Sequence, residues 1–232
     1  AAAAPMGVSV GGLERGAFRF EFTYDYGYRL VTVAVDRAPS TDDEALPENA
    51  GIGTGSATLA LELEPVRYVA LQVRALLQQP RVAQAGYKGP WGWGAGATLR
   101  ITPLHLADDL VHVGVYGALD GQFIGLPTDT DAPLQLWNLR AGVGAGLGGE
   151  ARGYYADLGV HYARSWGKLT PGGEDGPRYA LGLPLPVGVH VGAGLISAPV
   201  SPAYNERSRV HAGVDVRLID EWAITVRVGA VL

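Results

Sequence analysis

Residues 207–232 read RSRVHAGVDVRLIDEWAITVRVGAVL, and their alternation decides the fold. Val210, Ala212, Val214, Val216 and Leu218 alternate with Arg209, His211, Gly213, Asp215 and Arg217. A short turn follows at Ile219-Asp220-Glu221. Trp222, Ile224, Val226, Val228, Ala230 and Leu232 then alternate with Ala223, Thr225, Arg227, Gly229 and Val231. The spacing predicts a hairpin of two period-two strands. One face is apolar throughout and the other carries full charges.

The same division recurs upstream. Phe18, Phe20, Phe22, Tyr24, Tyr26 and Tyr28 oppose Arg19, Glu21, Thr23, Asp25 and Arg29. Val31, Val33 and Val35 then continue the apolar face after a slip in phase, which predicts a bulge near Arg29-Leu30. Further strands are predicted around 54–63, 67–77, 91–101, 111–116, 137–147 and 156–163. Their polar faces carry Glu62, Arg74, Arg100, Arg140, Asp157 and His161 among many glycines. Residues 179–195 alternate strictly, yet Pro184 and Pro186 lack the N–H of a ladder, so this stretch is one strand or two.

Composition excludes several classes. At 47% hydrophobic, no apolar run approaches the roughly 20 residues of a membrane helix, so any bilayer crossing uses strands. The absence of cysteine removes disulfides, thiolate metal sites and cysteine nucleophiles. A net charge of -5 argues against a nucleic-acid partner. Residues 1–16 are small, Gly-rich and unpatterned, and are expected to be a flexible N-terminal segment. They lack the charged and apolar regions of an intact signal peptide. Their small-residue opening suits a mature chain after secretory cleavage or an arbitrary chain boundary.

The remaining question is which face points inward. Arg19, Glu21, Asp25, Glu62, Arg74, Arg100, Arg140, Asp157, His161, Arg209, His211, Asp215 and Arg227 form the polar-side set, with no lysine in it. A solvated strand face uses lysine, serine and threonine freely and avoids repeated glycine, which weakens strands. Glycine beside arginine suits a crowded lumen, where small residues make room for guanidinium–carboxylate pairs. Trp91, Trp93, Trp137, Trp166 and Trp222 lie on the apolar side near predicted strand ends, as membrane-interface aromatics do. The apolar face is therefore expected to face lipid and the charged face the lumen, rather than the reverse arrangement of a soluble sandwich.

These dyad strands, Gly-rich lumen faces and turn-plus-Trp hairpins such as Ile219-Asp220-Glu221-Trp222 resemble the small outer-membrane β-barrels of Gram-negative bacteria, the OmpA-, OmpW- and OmpX-like group. The resemblance is architectural, covers about residues 17–232 and fixes no subfamily. It implies one all-β domain, an antiparallel transmembrane β-barrel in the bacterial outer membrane. About ten strands are expected, within 8–12, because single-chain barrels usually have an even count. It also implies contact with the lipid bilayer and lipopolysaccharide, and possible membership of a larger assembly of envelope proteins. The family usually ends on an aromatic residue, whereas this chain ends Val231-Leu232. Long and short connections alternate as in such barrels, but the tight 219–221 turn falls at the end expected to carry long loops.

Candidate chemistry is thin. His105, His112, His161, His190 and His211 show no i, i+2 or i, i+4 pair, so neither a metal site nor a cofactor is expected. Asp157, His161 and Ser165 share a face and are the residues to test for hydrolysis. That face is the lumen, however, and a lipid hydrolase would need its triad toward the bilayer. Gly142–Gly149 alternates glycine with apolar residues and lacks a P-loop lysine, so it reads as strand. The acidic loop with Asp42, Asp43, Glu44 and Glu48, and Asp129 and Asp131 elsewhere, suits either a solvated surface or a divalent cation. The expected function is non-enzymatic: a barrel with a charged, largely plugged lumen, structural or surface-contacting. The alternatives are a narrow pore for solutes or ions and, third, a lipid-modifying enzyme.

Overall fold

The computed structural model describes residues 18–37, 49–66, 68–82, 87–88, 91–107, 110–124, 134–149, 152–170, 178–182, 186–198, 200 and 208–231. The N-terminal segment 1–16 and the carboxylates of the acidic loops lie outside them. The alternating segments become strands β1 (Phe18–Arg37), β2 (Asn49–Val66), β3 (Val69–Val82), β4 (Tyr87–Lys88), β5 (Gly92–Leu106) and β6 (Val111–Ile124). They continue as β7 (Leu134–Gly149), β8 (Tyr154–Leu169), β9 (Arg178–Gly182), β10 (Val187–Ile196), β11 (Arg209–Leu218) and β12 (Trp222–Val231). Each pairs antiparallel with its neighbours, the two-residue β4 folds back on β3, and β12 pairs with β1. The sheet closes on itself, which satisfies the backbone without exposed edges.

Closure is not uniform along the barrel. With the end where β1 begins called the lower end, β10 pairs with the lower part of β8 and with β11. The shorter β9 pairs with the upper end of β8 on one side and directly with residues 32–37 of β1 on the other. The β11–β12 hairpin therefore stops beneath the β9–β1 pairing. Ten strands form the lower wall and eight the upper. This accounts for the tight 219–221 turn that the loop pattern could not place: it lies within the wall, below the rim. The ambiguous 179–195 stretch is two strand pieces sharing one place beside β8, and 183–185 between them lie outside the described residues.

The expected bulge at Arg29-Leu30 is absent. β1 holds one register with β2 from Phe18↔Leu63 to Thr32↔Asn49, and odd residues from Arg19 to Val33 face inward. Val31 and Val33 are thus buried in the lumen rather than continuing the outer face. What changes there is polarity, while the phase runs on. Below the step, charge lies inside and Phe20, Phe22, Val226 and Val228 are exposed outside. Above it, Val31, Val33, Ala50, Ile52, Leu169, Tyr179 and Leu181 form a buried apolar cluster, while Thr32, Lys168 and Arg178 face outward.

Tyr28 pairs with Trp222, and Trp137 with Trp166. Following the registers around the barrel, with the stagger closure imposes, brings Trp93 to the same height. The outward aromatics therefore form a belt level with the step. Below it, β10, β11 and β12 are each 10 residues long, the length that crosses a hydrocarbon core when tilted. An apolar outer band under an aromatic belt, around a polar interior, makes this a transmembrane β-barrel.

Candidate functional site

The lumen is the place where the sequence concentrates charge, and alternation delivers it there. Arg19, Glu21, Asp25, Glu62, Arg74, Arg100, Arg140, Asp157, His161, His211, Asp215 and Arg227 are all buried inside the barrel. Arg209, also on the lumen face, is half-buried at the lower rim and donates to the Ser197 carbonyl at 3.2 Å. Of the five tryptophans, Trp91, Trp93, Trp166 and Trp222 are exposed on the outer face and Trp137 is half-exposed there.

The centre of the network is a residue that reads in sequence as a surface turn. Glu221 is buried, and its carboxylate meets three guanidinium groups. Arg29 Nη2 lies 2.6 Å from Oε2, while Arg140 Nη2 and Arg217 Nε lie 2.7 and 2.6 Å from Oε1. Arg217 also reaches Asp25 at 2.7 Å, and Asp25 accepts from Thr225. Arg29 donates to Asn138 Oδ1 at 2.6 Å and to Ser165 Oγ at 3.0 Å. Asp220, beside Glu221, meets His161 Nε2 at 3.1 Å. Side chains from β1, β7, β8 and β11 thus converge on one inward turn. Charge-assisted hydrogen bonds of this kind are the strong ones.

Local geometry explains how the turn fits. Ile219 has φ 84°, a left-handed conformation that a β-branched residue rarely adopts. The Asp220 and Glu221 side chains are held inward while the Ile219 side chain is exposed outside. Opposite the turn, Gly188 on β10 leaves the space into which Asp220 and His161 pack. A Cβ there would lie 2.1 Å from Asp220 Oδ1 and 2.4 Å from His161 Nε2. The glycine-beside-charge pattern is a packing requirement at this position.

Further groups fill the lumen wall. Arg74 binds Asp120 through Nε at 2.7 Å and donates to Thr98 at 2.5 Å. Glu62 sits between Arg100 and Arg19, the latter at 3.3 Å. Toward the lower end, Arg227 pairs with Asp215 and lies 5.1 Å from the Tyr155 ring centroid. Asp157 lies 3.5 Å from His190 Nε2. A cavity of about 20 Å³, lined by residues including Arg19, Glu21, Tyr155, His211 and Arg227, has room for about one water molecule.

The residues set aside for hydrolysis do not assemble. Ser165 Oγ engages Asn138 and Arg29, His161 faces Asp220, and Asp157 faces His190 and Arg227. Among these three residues there is no nucleophile–base contact. His161 and His190 stack with ring centroids 6.3 Å apart, and among the described residues no group of three or more His, Asp or Glu has metal-binding geometry. Gly142–Gly149 lies in β7, as its alternation predicted.

Sequence reasoning missed Asp220 and Glu221, which it placed in a turn, and Asp120, which lies beyond the predicted strand 111–116 although β6 runs on to Ile124. Arg29 and Arg217 stood on the correct face but were not singled out. Their one available signal was that same alternation.

No protein-family model and no curated protein sequence matches the chain. Solved structures similar to it include the translocator domain of the autotransporter NalP from Neisseria meningitidis, at 9% identity and TM-score 0.44, covering 93% of this chain and 87% of that one. Another is the transport unit of the autotransporter AIDA-I from Escherichia coli, at 11% identity and TM-score 0.42, covering 94% and 90%. A third is the COG4313 outer membrane channel from Pseudomonas putida F1, at 12% identity and TM-score 0.38, covering 100% of both. At these values the likeness carries no argument. Closure of this barrel rests on its own strand registers.

Proposed function

We propose that this chain is a plugged outer-membrane barrel, a structural, anchoring or surface-contact component of the bacterial envelope with no open channel. The observation that carries this reading is Glu221 held by Arg29, Arg140 and Arg217 across the middle of the lumen. Above it the apolar cluster around Val31, Ile52 and Tyr179 adds a second closure. Lumen carboxylates such as Glu221, Asp25, Glu62 and Asp215, already paired with arginines, are poorly placed to select a passing ion. The tight turns after β2, β5 and β7 support an orientation with the lower end at the periplasm and the upper end at the cell surface.

The cysteine-free chain makes this reading directly testable. A single cysteine in place of Lys168, exposed on upper β8, labels from outside intact cells with a membrane-impermeant maleimide. One in place of Arg152, exposed in the β7–β8 turn, labels only after the outer membrane is breached. Reversed labelling overturns the orientation. Recovery of the chain in the soluble fraction overturns the membrane assignment.

A further inference from the structure

Among the strand residues whose side chains are described, outward charge falls in one place. There the charged ones are Arg164 and Lys168 on β8 and Arg178 on β9, all exposed and all cationic. No carboxylate whose side chain is described pairs with them, in contrast to the arginines of the lumen.

Their heights are ordered. Arg164 and Lys168 flank Trp166 on the same face of β8, so the patch begins at the aromatic belt. Lys168 pairs with Ala180, and Arg178 lies two residues beyond it, further up the wall. Beside them the outward positions of β9 are Ala180 and Gly182, too small to cover the cations. Below Arg164 the surface turns apolar at once: Tyr162 pairs with Val187, and both are exposed, as is Val160. A cation on a lipid-facing wall is unfavourable unless it reaches the headgroups. Lys168 and Arg178 above the Trp166 indole, Arg164 one step beneath it and an apolar wall below that match the profile of one lipid molecule.

We propose that Arg164, Lys168 and Arg178 form a docking surface for a phosphorylated lipid headgroup of the upper leaflet, with its acyl chains lying on Val160, Tyr162 and Val187. The proposal rests on the reading that the barrel spans a membrane. Guanidinium and ammonium groups provide the charge-assisted donors that a phosphate monoester needs, and they project from the surface that touches lipid.

The test uses the full chain folded in neutral detergent, with folding checked independently by heat-modifiable gel mobility. Native mass spectrometry then titrates phosphatidic acid, diacylglycerol of the same acyl chains, and inorganic phosphate. The wild type binds phosphatidic acid at least about tenfold more tightly than diacylglycerol, and the triple variant Arg164→Gln/Lys168→Gln/Arg178→Gln loses that difference. If the triple variant fails to fold, Lys168→Gln alone retains the fold and shows a partial loss of the difference. Equal retention by variant and wild type, or equal binding of diacylglycerol, overturns the proposal. Displacement of the lipid by inorganic phosphate also overturns it, in favour of a soluble-anion site. Failure of the membrane reading would show separately, as a chain that stays folded and soluble without detergent.

Discussion

Arg29 Nη2 donates to Glu221 Oε2 at 2.6 Å, joining β1 to the turn between β11 and β12 at the height where ten strands become eight. The pair ties the inward turn to the strand that pairs with β12 in the lower section and with β9 in the upper. Arg140 and Arg217 complete the same cluster from β7 and β11.

Removing the central carboxylate leaves three buried guanidinium groups short of a partner. Glu221→Gln should cost about 3–5 kcal/mol, as breaking a buried pair by deleting one partner does. Arg209→Gln, at the half-buried lower rim, should cost about 1 kcal/mol or less. Urea unfolding in detergent micelles, followed by tryptophan emission and gel mobility, measures both. Equal effects would remove Glu221 from the centre of the network.

Space at Gly188 is a second requirement. Gly188→Ala pushes a methyl group into Asp220 and His161 and should cost about 1–3 kcal/mol, as overpacking does. At Gly117, whose added Cβ would come no closer than 4.0 Å to the Arg140 carbonyl oxygen, alanine should be tolerated. The same unfolding assay compares the two. A tolerated Gly188→Ala would mean that the turn does not pack as described.

Polarity inversion along the wall makes tolerance depend on height. Val226→Arg, on the outer face of β12 within the apolar band, should cost about 2–4 kcal/mol, whereas Thr32→Arg, above the belt, should cost about 0–1 kcal/mol. Unfolding from phospholipid vesicles measures the difference. Equal penalties would place the membrane boundary elsewhere.

The strands and their inward faces were legible from sequence because period two is a direct consequence of strand geometry. The odd-numbered residues from Arg209 to Arg217 and from Ala223 to Val231 face inward as the alternation required. What misled was polarity taken as a marker of side. At Val31 the inner face becomes apolar because the outer surroundings change from lipid to water, and a pattern of residue types reads that as a slip of phase. Glu221 was hidden for a related reason. A polar turn between two strands looks solvated when the sequence carries no local sign that the hairpin ends inside the wall. The Arg29–Glu221 contact spans 192 residues and depends on closure, so no window of sequence contains it.

The central claim is that the lumen is closed. Its most direct test is the conductance of purified wild-type chain in a planar bilayer, with folding and insertion confirmed on the same preparation. Closure by the Glu221 cluster and the apolar layer above it predicts a silent membrane across the applied voltage range. Discrete, reproducible current steps from the folded chain would contradict it, and the lumen arginines would then have to be understood as the lining of a pore.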